Sequence, residues 1–261
     1  MPLLDLNLIA LDPNTTPEAF VEKLRQQRPD IKIVVASIPH HWVARPAVYD
    51  VKHLGHSRWD LMLVTEGELI QAREVHDLVK DVYNMKIGVP RKLYADYPTT
   101  NEKLLRQAKS IPLTGSLDDN NKSPPKTSQK LELSDDLRRF MDSFTKERGE
   151  DQPVTMLNLL CFKPNSQKQY ATYGQHFQTA GGRRGGNAKM VGSVVKSVDK
   201  QGEQKWWDEV AIVHYPSIRH FCDMAAGDDY QEINQKYRLP SLEDTILLCT
   251  TELPRKTASK L

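Results

Sequence analysis

The chain has 261 residues, 36 Lys and Arg against 34 Asp and Glu, a formal charge of +2, and 39% hydrophobic against 27% charged residues. At ~150 residues per domain this is about 1.7 domains of ordinary globular composition, enough for one or two cores. The near-balance of charge excludes a dedicated nucleic-acid binder, which carries a basic excess or stripe.

No apolar run approaches the ~18 residues of a membrane span, so no membrane association is expected. The start, Met1-Pro2-Leu3-Leu4-Asp5, has neither a basic n-region nor a long apolar h-region, and a secretory leader is not expected. Cys161, Cys222 and Cys249 are odd in number and far apart, which permits no disulfide framework or CxxC metal knuckle and fits a reducing, cytoplasmic setting.

In chain order, residues 3–11 read as a strand. Thr16 and Pro17 then open a helix, a hydroxyl cap followed by proline at the first helical position, which runs to about Arg28. Residues 31–38 and 58–65 are apolar strands. Residues 68–82 carry Leu69, Ala72, Val75, Val79 and Val82 at the spacing of one helical face, and residues 89–97 are expected to form a closing strand. The stretch from Thr114 to Lys130 is rich in Asp, Asn, Ser and Pro and reads as a flexible linker.

Past the linker, Ser134 caps a helix with Leu137, Phe140, Met141 and Phe144 at helical spacing. Residues 154–162 are a strand, and 166–180 a helix that Gly181-Gly182 ends. Strands over 189–198 and 205–215 are expected to form a hairpin around Lys200-Gln201-Gly202. Ser217 opens a helix over 218–226, a turn-rich helix carries Tyr230, Ile233 and Tyr237, and 245–252 is the last strand.

The two sides repeat. Leu6-Asn7-Leu8-Ile9 and Leu157-Asn158-Leu159-Leu160 stand 151 positions apart, and Trp59-Asp60 and Trp207-Asp208 stand 148 apart. Two strand motifs in the same order at nearly the same offset read as an internal duplication, each copy β-α-β-β-α-β. Such split units form ferredoxin-like antiparallel sheets with helices on one face, and two copies can cover each other sheet to sheet. The expected architecture is α+β: tandem ferredoxin-like (βαββαβ) repeats forming an intrachain dimeric α+β barrel. The first repeat covers residues 1–110, the linker 111–133, and the second repeat with its preceding helix 134–261.

Met156-Leu157-Asn158-Leu159-Leu160, Tyr170-Ala171-Thr172-Tyr173, Gly181-Gly182-Arg183, Trp207-Asp208, His214-Tyr215-Pro216-Ser217, Tyr230 and Tyr237-Arg238 together resemble a group of uncharacterised, mainly fungal proteins of the dimeric α+β barrel superfamily. The resemblance covers residues 151–253; over 1–97 it rests on the duplication. It implies the barrel fold. Of chemistry it implies only a range, from cofactor-free monooxygenases, isomerases, cyclases and dehydratases to haem enzymes.

Four of the eight histidines, His40, His41, His53 and His56, fall within 17 residues. Imidazole titrates near working pH and suits acid–base work, so His40, His53 and His56 are catalytic candidates, with Asp208 and with His214 at a strand end. His53-x-x-His56 has metal-ligand spacing, but no cysteine or acidic cluster accompanies it, and no metal is expected. Asn158, Tyr173, Arg183, Trp207, Arg238 and Trp59 are substrate-binding candidates: a buried amide, a hydroxyl on an aromatic stripe, two guanidinium groups for an anionic oxygen, and two large rings at strand starts. Against each stands an ordinary reading as loop histidine, sealing tryptophan or solvated arginine.

No GxSxG, P-loop or GxGxxG occurs. The expected function is a cofactor-independent enzyme on a small, partly apolar organic molecule, of cyclase, isomerase or dehydratase type and suited to secondary metabolism. The alternatives are a non-catalytic binding or scaffold protein, and a cofactor-free monooxygenase or haem enzyme. The partners expected are a small-molecule ligand and, beyond the intrachain pseudo-dimer, a second copy of the chain.

Overall fold

The computed structural model describes residues 1–55, 58–69, 72–118, 124–195 and 207–254. Eight strands close into one antiparallel barrel in the order β1-β3-β2-β8-β5-β7-β6-β4. They are β1 (Leu3–Leu11), β2 (Lys32–Ala44), β3 (Leu61–Glu66), β4 (Val79–Gly88), β5 (Val154–Phe162), β6 (Asn187–Val194), β7 (Glu209–Tyr215) and β8 (Leu242–Glu252). Read by halves, the order is β4-β1-β3-β2 and β8-β5-β7-β6.

Side chains alternate across each strand, so each strand faces the barrel interior with one set and a helical layer with the other. Leu4, Leu6 and Leu8 of β1, Met85 and Ile87 of β4, Leu157 and Leu159 of β5, and Val210 and Ile212 of β7 fill the interior as one cluster. Burying a side chain of this size is worth roughly 1.5–3 kcal/mol, and the inside of the barrel is a core rather than a channel. Trp59 and Trp207 belong to the same cluster.

The outward faces are covered separately. Ile9, Leu11, Leu61 and Leu63 pack under α1 (Pro17–Gln27) and a 3-10 turn (Arg73–Leu78). The Thr16 hydroxyl caps α1 by accepting from the Ala19 amide, with Pro17 in the first turn. On the second half, the outer face of β5, β7 and β8 lies under α3 (Asp135–Arg148), α4 (Gln167–Ala180), α5 (Ile218–Ala226) and α6 (Asp228–Ile233). A π-helical turn (Asn234–Arg238) continues α6 into the short α7 (Leu239–Ser241).

Residues 68–97 differ from their sequence reading. Leu69, Ala72 and Val75 are buried as expected, but no α-helix forms among the described residues from 68 to 82: a 3-10 turn covers Arg73–Leu78, and the chain turns to β4 at Val79. The apolar positions at Val79 and Val82 belong to the outer face of a strand whose other face sends Met85 and Ile87 into the barrel; two periodicities overlap there and imitate one helix. In place of a strand over 89–97 lies α2 (Arg91–Gln107), with Pro90 ahead of it and Pro98 within it. It packs along β6 and buries Tyr97 and Asn101 at one end of the barrel. The hairpin turn expected at Lys200-Gln201-Gly202 lies outside the described residues.

The described parts of the 111–133 stretch are tied to the second half. The Thr114 amide and hydroxyl donate to Asp223 at 2.9 and 2.5 Å, and Leu131 and Leu133 are buried in the outer core. The halves meet along two unequal seams. β2 and β8 pair from Ser37↔Glu252 to Ala44↔Leu247; among the described residues β4 and β6 pair at Ile87↔Val194 and Gly88↔Ser193. No helix among the described residues is long and apolar enough to cross a membrane.

Candidate functional site

A cavity of about 940 Å³ lies between the outer face of the second half's strands and the helices α4–α6. Strand alternation builds its floor: Met156 and Asn158 from β5, Glu209, Ala211, Val213 and Tyr215 from β7, and Leu247 from β8. The roof comes from Tyr170, Tyr173, Gly174 and Phe177 of α4, with Phe221, Met224 and Tyr230 beyond. Gly174 sits where an added Cβ would meet nothing within 4 Å, so the helix leaves space there. Gly181 is needed for the opposite reason: its Cβ would stand 2.4 Å from the Phe177 ring. Aromatic and aliphatic walls with a few convergent polar groups are the composition of a small-molecule site.

Five polar side chains, with an arginine behind them, give the cavity its chemistry. Burial, reinforced by the Asp208 charge, pushes the Glu209 carboxyl up to about 7, so near neutral pH it can both hold and release a proton. Asp208 is engaged at the edge of β5, its Oδ2 accepting from the Phe162 amide at 2.8 Å. The Asn158 Nδ2 donates to the carbonyls of Met156 and Ala211 at 3.2 and 3.4 Å, and the residue lines the cavity. The Tyr173 and Tyr230 hydroxyls meet at 3.2 Å. Behind the tyrosines lies Arg238, 1% exposed, with Nη2 donating to Thr245 Oγ1 at 3.3 Å.

The other residues singled out from sequence lie elsewhere. His40 reaches Thr251 Oγ1 at 2.8 Å and packs edge-on to Phe144 of α3; burial lowers its pKa to about 4. With His41, Arg58 and Trp59 it borders a separate open groove of about 490 Å³. There the His41 ring is stacked on Phe140, so these two histidines dock α3.

His53 is exposed and pairs with Asp81 at 3.0 Å, and His56 lies outside the described residues. His214 faces away from the cavity into a polar cluster at the barrel end, where burial lowers its pKa to about 3. In that cluster Lys189 meets Glu252, Asn101 and Thr155. Among the described residues no histidine lines the cavity, so His40, His41, His53 and His214 are not its acid–base groups.

The tryptophans take the sealing role. Trp59 Nε1 donates to the Leu54 carbonyl at 3.0 Å and Trp207 Nε1 to the Tyr83 hydroxyl at 2.8 Å, both buried. In the glycine-flanked arginine pair, Arg183 is exposed and pairs with Asp229 at 3.2 Å. Arg184 is buried, and its donors are taken by Asp223, Asp229, the Ala180 carbonyl, Thr114 and Ser116. Neither is aimed at a ligand. The structure therefore gathers Asn158, Tyr173 and Asp208 around one cavity with Arg238 behind it. Glu209, Tyr170, Phe177 and Gly174 complete it; Glu209 was legible only as the acidic residue in phase with Ala211 and Val213.

Among the described residues no group of three His, Cys, Asp or Glu side chains is placed to hold a metal ion.

No family model matches the sequence, and no curated protein matches it. Among solved structures it is similar to a protein of unknown function from Rhodopseudomonas palustris, at 27% identity over 44% of this chain and 94% of that one, with a TM-score of 0.35. The methylated form of that protein matches at 27% identity over 44% and 93%, with a TM-score of 0.35.

Proposed function

We propose that the chain is a cofactor-independent enzyme that moves a proton on a small, partly apolar, conjugated organic molecule held in the cavity of its second half. The observation that carries this is Glu209, a carboxyl brought to about 7 at the wall of an apolar 940 Å³ cavity. Its carboxylate takes a proton from an acidified carbon. The C–H electron pair passes into the adjacent carbonyl as an enolate, and the carboxylic acid so formed returns the proton at the same or a neighbouring position. Isomerisation of a dicarbonyl compound needs no more than this. The Asn158 side chain and the Tyr170 hydroxyl orient the molecule, and the apolar walls keep water from the carbanion.

The same reading makes the two halves tandem ferredoxin-like repeats of which only one is a site. Its support is a set of matched bonds. Asp60 Oδ2 accepts from the Leu11 amide at 2.9 Å as Asp208 Oδ2 does from Phe162, and the Asp60 and Asp208 amides donate to Ile9 and Leu160 at 2.9 and 2.8 Å. At the place of Glu209 the first half has Leu61, fully buried. At the place of Asn158 it has Asn7, whose Oδ1 is taken by Asn84 at 2.7 Å. The buried free thiols of Cys161, Cys222 and Cys249 suit a reducing cytoplasm.

The test is proton exchange in D2O, followed by NMR, on a panel of aryl β-dicarbonyl compounds. Protein-dependent exchange at the central carbon is expected, falling about 100-fold or more in Glu209→Gln. Exchange that survives in Glu209→Gln overturns the acid–base role. Ligand binding without exchange is the outcome that selects a non-catalytic binding protein instead.

A further inference from the structure

Three cations are buried among the described residues of this fold, and two are neutralised. Arg184 pairs with Asp223 at 3.1 Å and Asp229 at 3.0 Å, and Lys189 pairs with Glu252. Arg238 has no carboxylate: among the described residues its only partners are Thr245 Oγ1 and tyrosine hydroxyls, and its Nη1 has no hydrogen-bond partner at all. An unpaired buried charge costs several kcal/mol, and a fold that twice supplies carboxylates omits one here. The position is set by the π-helical turn Asn234–Arg238, a distortion frequent at functional sites. The turn brings the guanidinium against the hydroxyls of Tyr170, Tyr173 and Tyr230, all of which line the cavity.

We infer that this corner of the cavity is an oxyanion subsite: the Tyr170 and Tyr173 hydroxyls, backed by the Arg238 guanidinium behind them, take the anionic oxygen of a phenolate or enolate. The inference rests on the cavity reading above and adds the substrate's charge and its point of attachment. Burial raises the tyrosine pKa values, and the neighbouring guanidinium counters it. The hydroxyls therefore stay protonated at neutral pH and are polarised as donors toward an oxyanion. Placed on the same cavity as Glu209, the subsite would hold the oxygen on which charge appears when the carbon proton leaves.

The test uses the intact chain and three probes of similar shape: 4-nitrophenol, 4-nitroanisole and 4-nitrobenzoate. Binding is followed by calorimetry and by the visible band of the nitrophenolate. The expected result is that bound 4-nitrophenol ionises at least about one pH unit below free 4-nitrophenol. It should also bind roughly tenfold or more tighter as the anion than 4-nitroanisole does. The ionisation shift should shrink in Tyr170→Phe, which keeps the ring packing, and vanish in Arg238→Gln.

If 4-nitrophenol binds with its ionisation unmoved or raised, the subsite is overturned while the cavity reading stands. If 4-nitrobenzoate binds and 4-nitrophenol does not, the anion is a carboxylate and the inference as stated is wrong. If none of the three binds, the cavity reading fails with it. Should Arg238→Gln fail to fold, the wild-type ionisation and Tyr170→Phe decide the question alone.

Discussion

Arg184 Nε stands 3.1 Å from Asp223 Oδ2, the guanidinium 2% exposed and the carboxylate fully buried. The pair fastens the turn after α4 to α5, and through the Thr114 bonds to Asp223 it also holds the start of the 111–133 stretch. Burial opposes ionisation of Asp223, but the Thr114 hydrogen bonds and the Arg184 charge outweigh it and hold its pKa below the usual carboxylate value. Removing one partner leaves the other charge buried and alone. Arg184→Met is expected to cost about 3–5 kcal/mol in urea unfolding, and Arg184→Met with Asp223→Leu to recover a large part of it. A loss below about 1 kcal/mol for the single variant would contradict the account.

Glu209 makes a specific demand on pH. Its pKa is raised from 4.5 to about 7 by folding, so between those values the folded state holds a proton that the unfolded state has released. Stability attributable to Glu209 is therefore intact below pH 4.5 and falls as pH rises toward 7, by at most about 3 kcal/mol. Glu209→Gln should be the more stable protein at pH 8 and the equal of wild type at pH 4. Parallel unfolding curves for the two proteins across that range would remove the basis for its acid–base role.

Two histidines act in the opposite direction. Burial depresses His40 to about 4 and His214 to about 3 from 6.5. The unfolded chain then binds protons that the folded chain refuses, and stability is lost as pH falls below 6.5. His214→Phe should flatten the acid limb of the stability–pH profile measured by thermal unfolding. His53→Ala, which removes an exposed pair with Asp81 and ring contacts to Trp59 and Tyr83, should change stability by less than about 1 kcal/mol and leave ligand binding unaltered.

Gly174 separates binding from folding. Its Cβ direction opens into empty space, and it sits inside α4, where glycine costs roughly 0.5–1 kcal/mol relative to alanine. Gly174→Leu is expected to raise the melting temperature slightly and to abolish binding of 4-nitroanisole in calorimetry. A stable Gly174→Leu protein that still binds the probe would place the ligand somewhere other than this cavity.

How far the sequence spoke depended on how many signals overlapped. The second half reads cleanly because each element carries one period and its own stop: Ser134 accepts from the Leu137 amide to start α3, and Gly181 ends α4. Residues 68–97 mislead because Val79 and Val82 extend a helical spacing begun by Leu69 and Val75, although they belong to a strand. At the site, Asn158 and Tyr173 were visible as a polar residue in an apolar strand and a hydroxyl on an aromatic stripe. Glu209 was hidden by Asp208 beside it, whose likeness to Asp60 drew attention to the residue that caps rather than the one that titrates. The histidine cluster misled for a physical reason: imidazoles that pack against Phe140 and Phe144 serve a helix interface, and proximity in sequence does not bring them to a cavity on another face.

The short β4–β6 seam gives the barrel a front and a back. Among the described residues two pairs and the Val195 amide bond to the Lys86 carbonyl hold it, and Ser193 and Val194 also line the cavity. If the proposed ligand sits there, it braces this short seam, whose parting would expose strand edges to another chain. The occupied protein would then be guarded against clumping as well as ready for chemistry, with its cargo acting as a clasp.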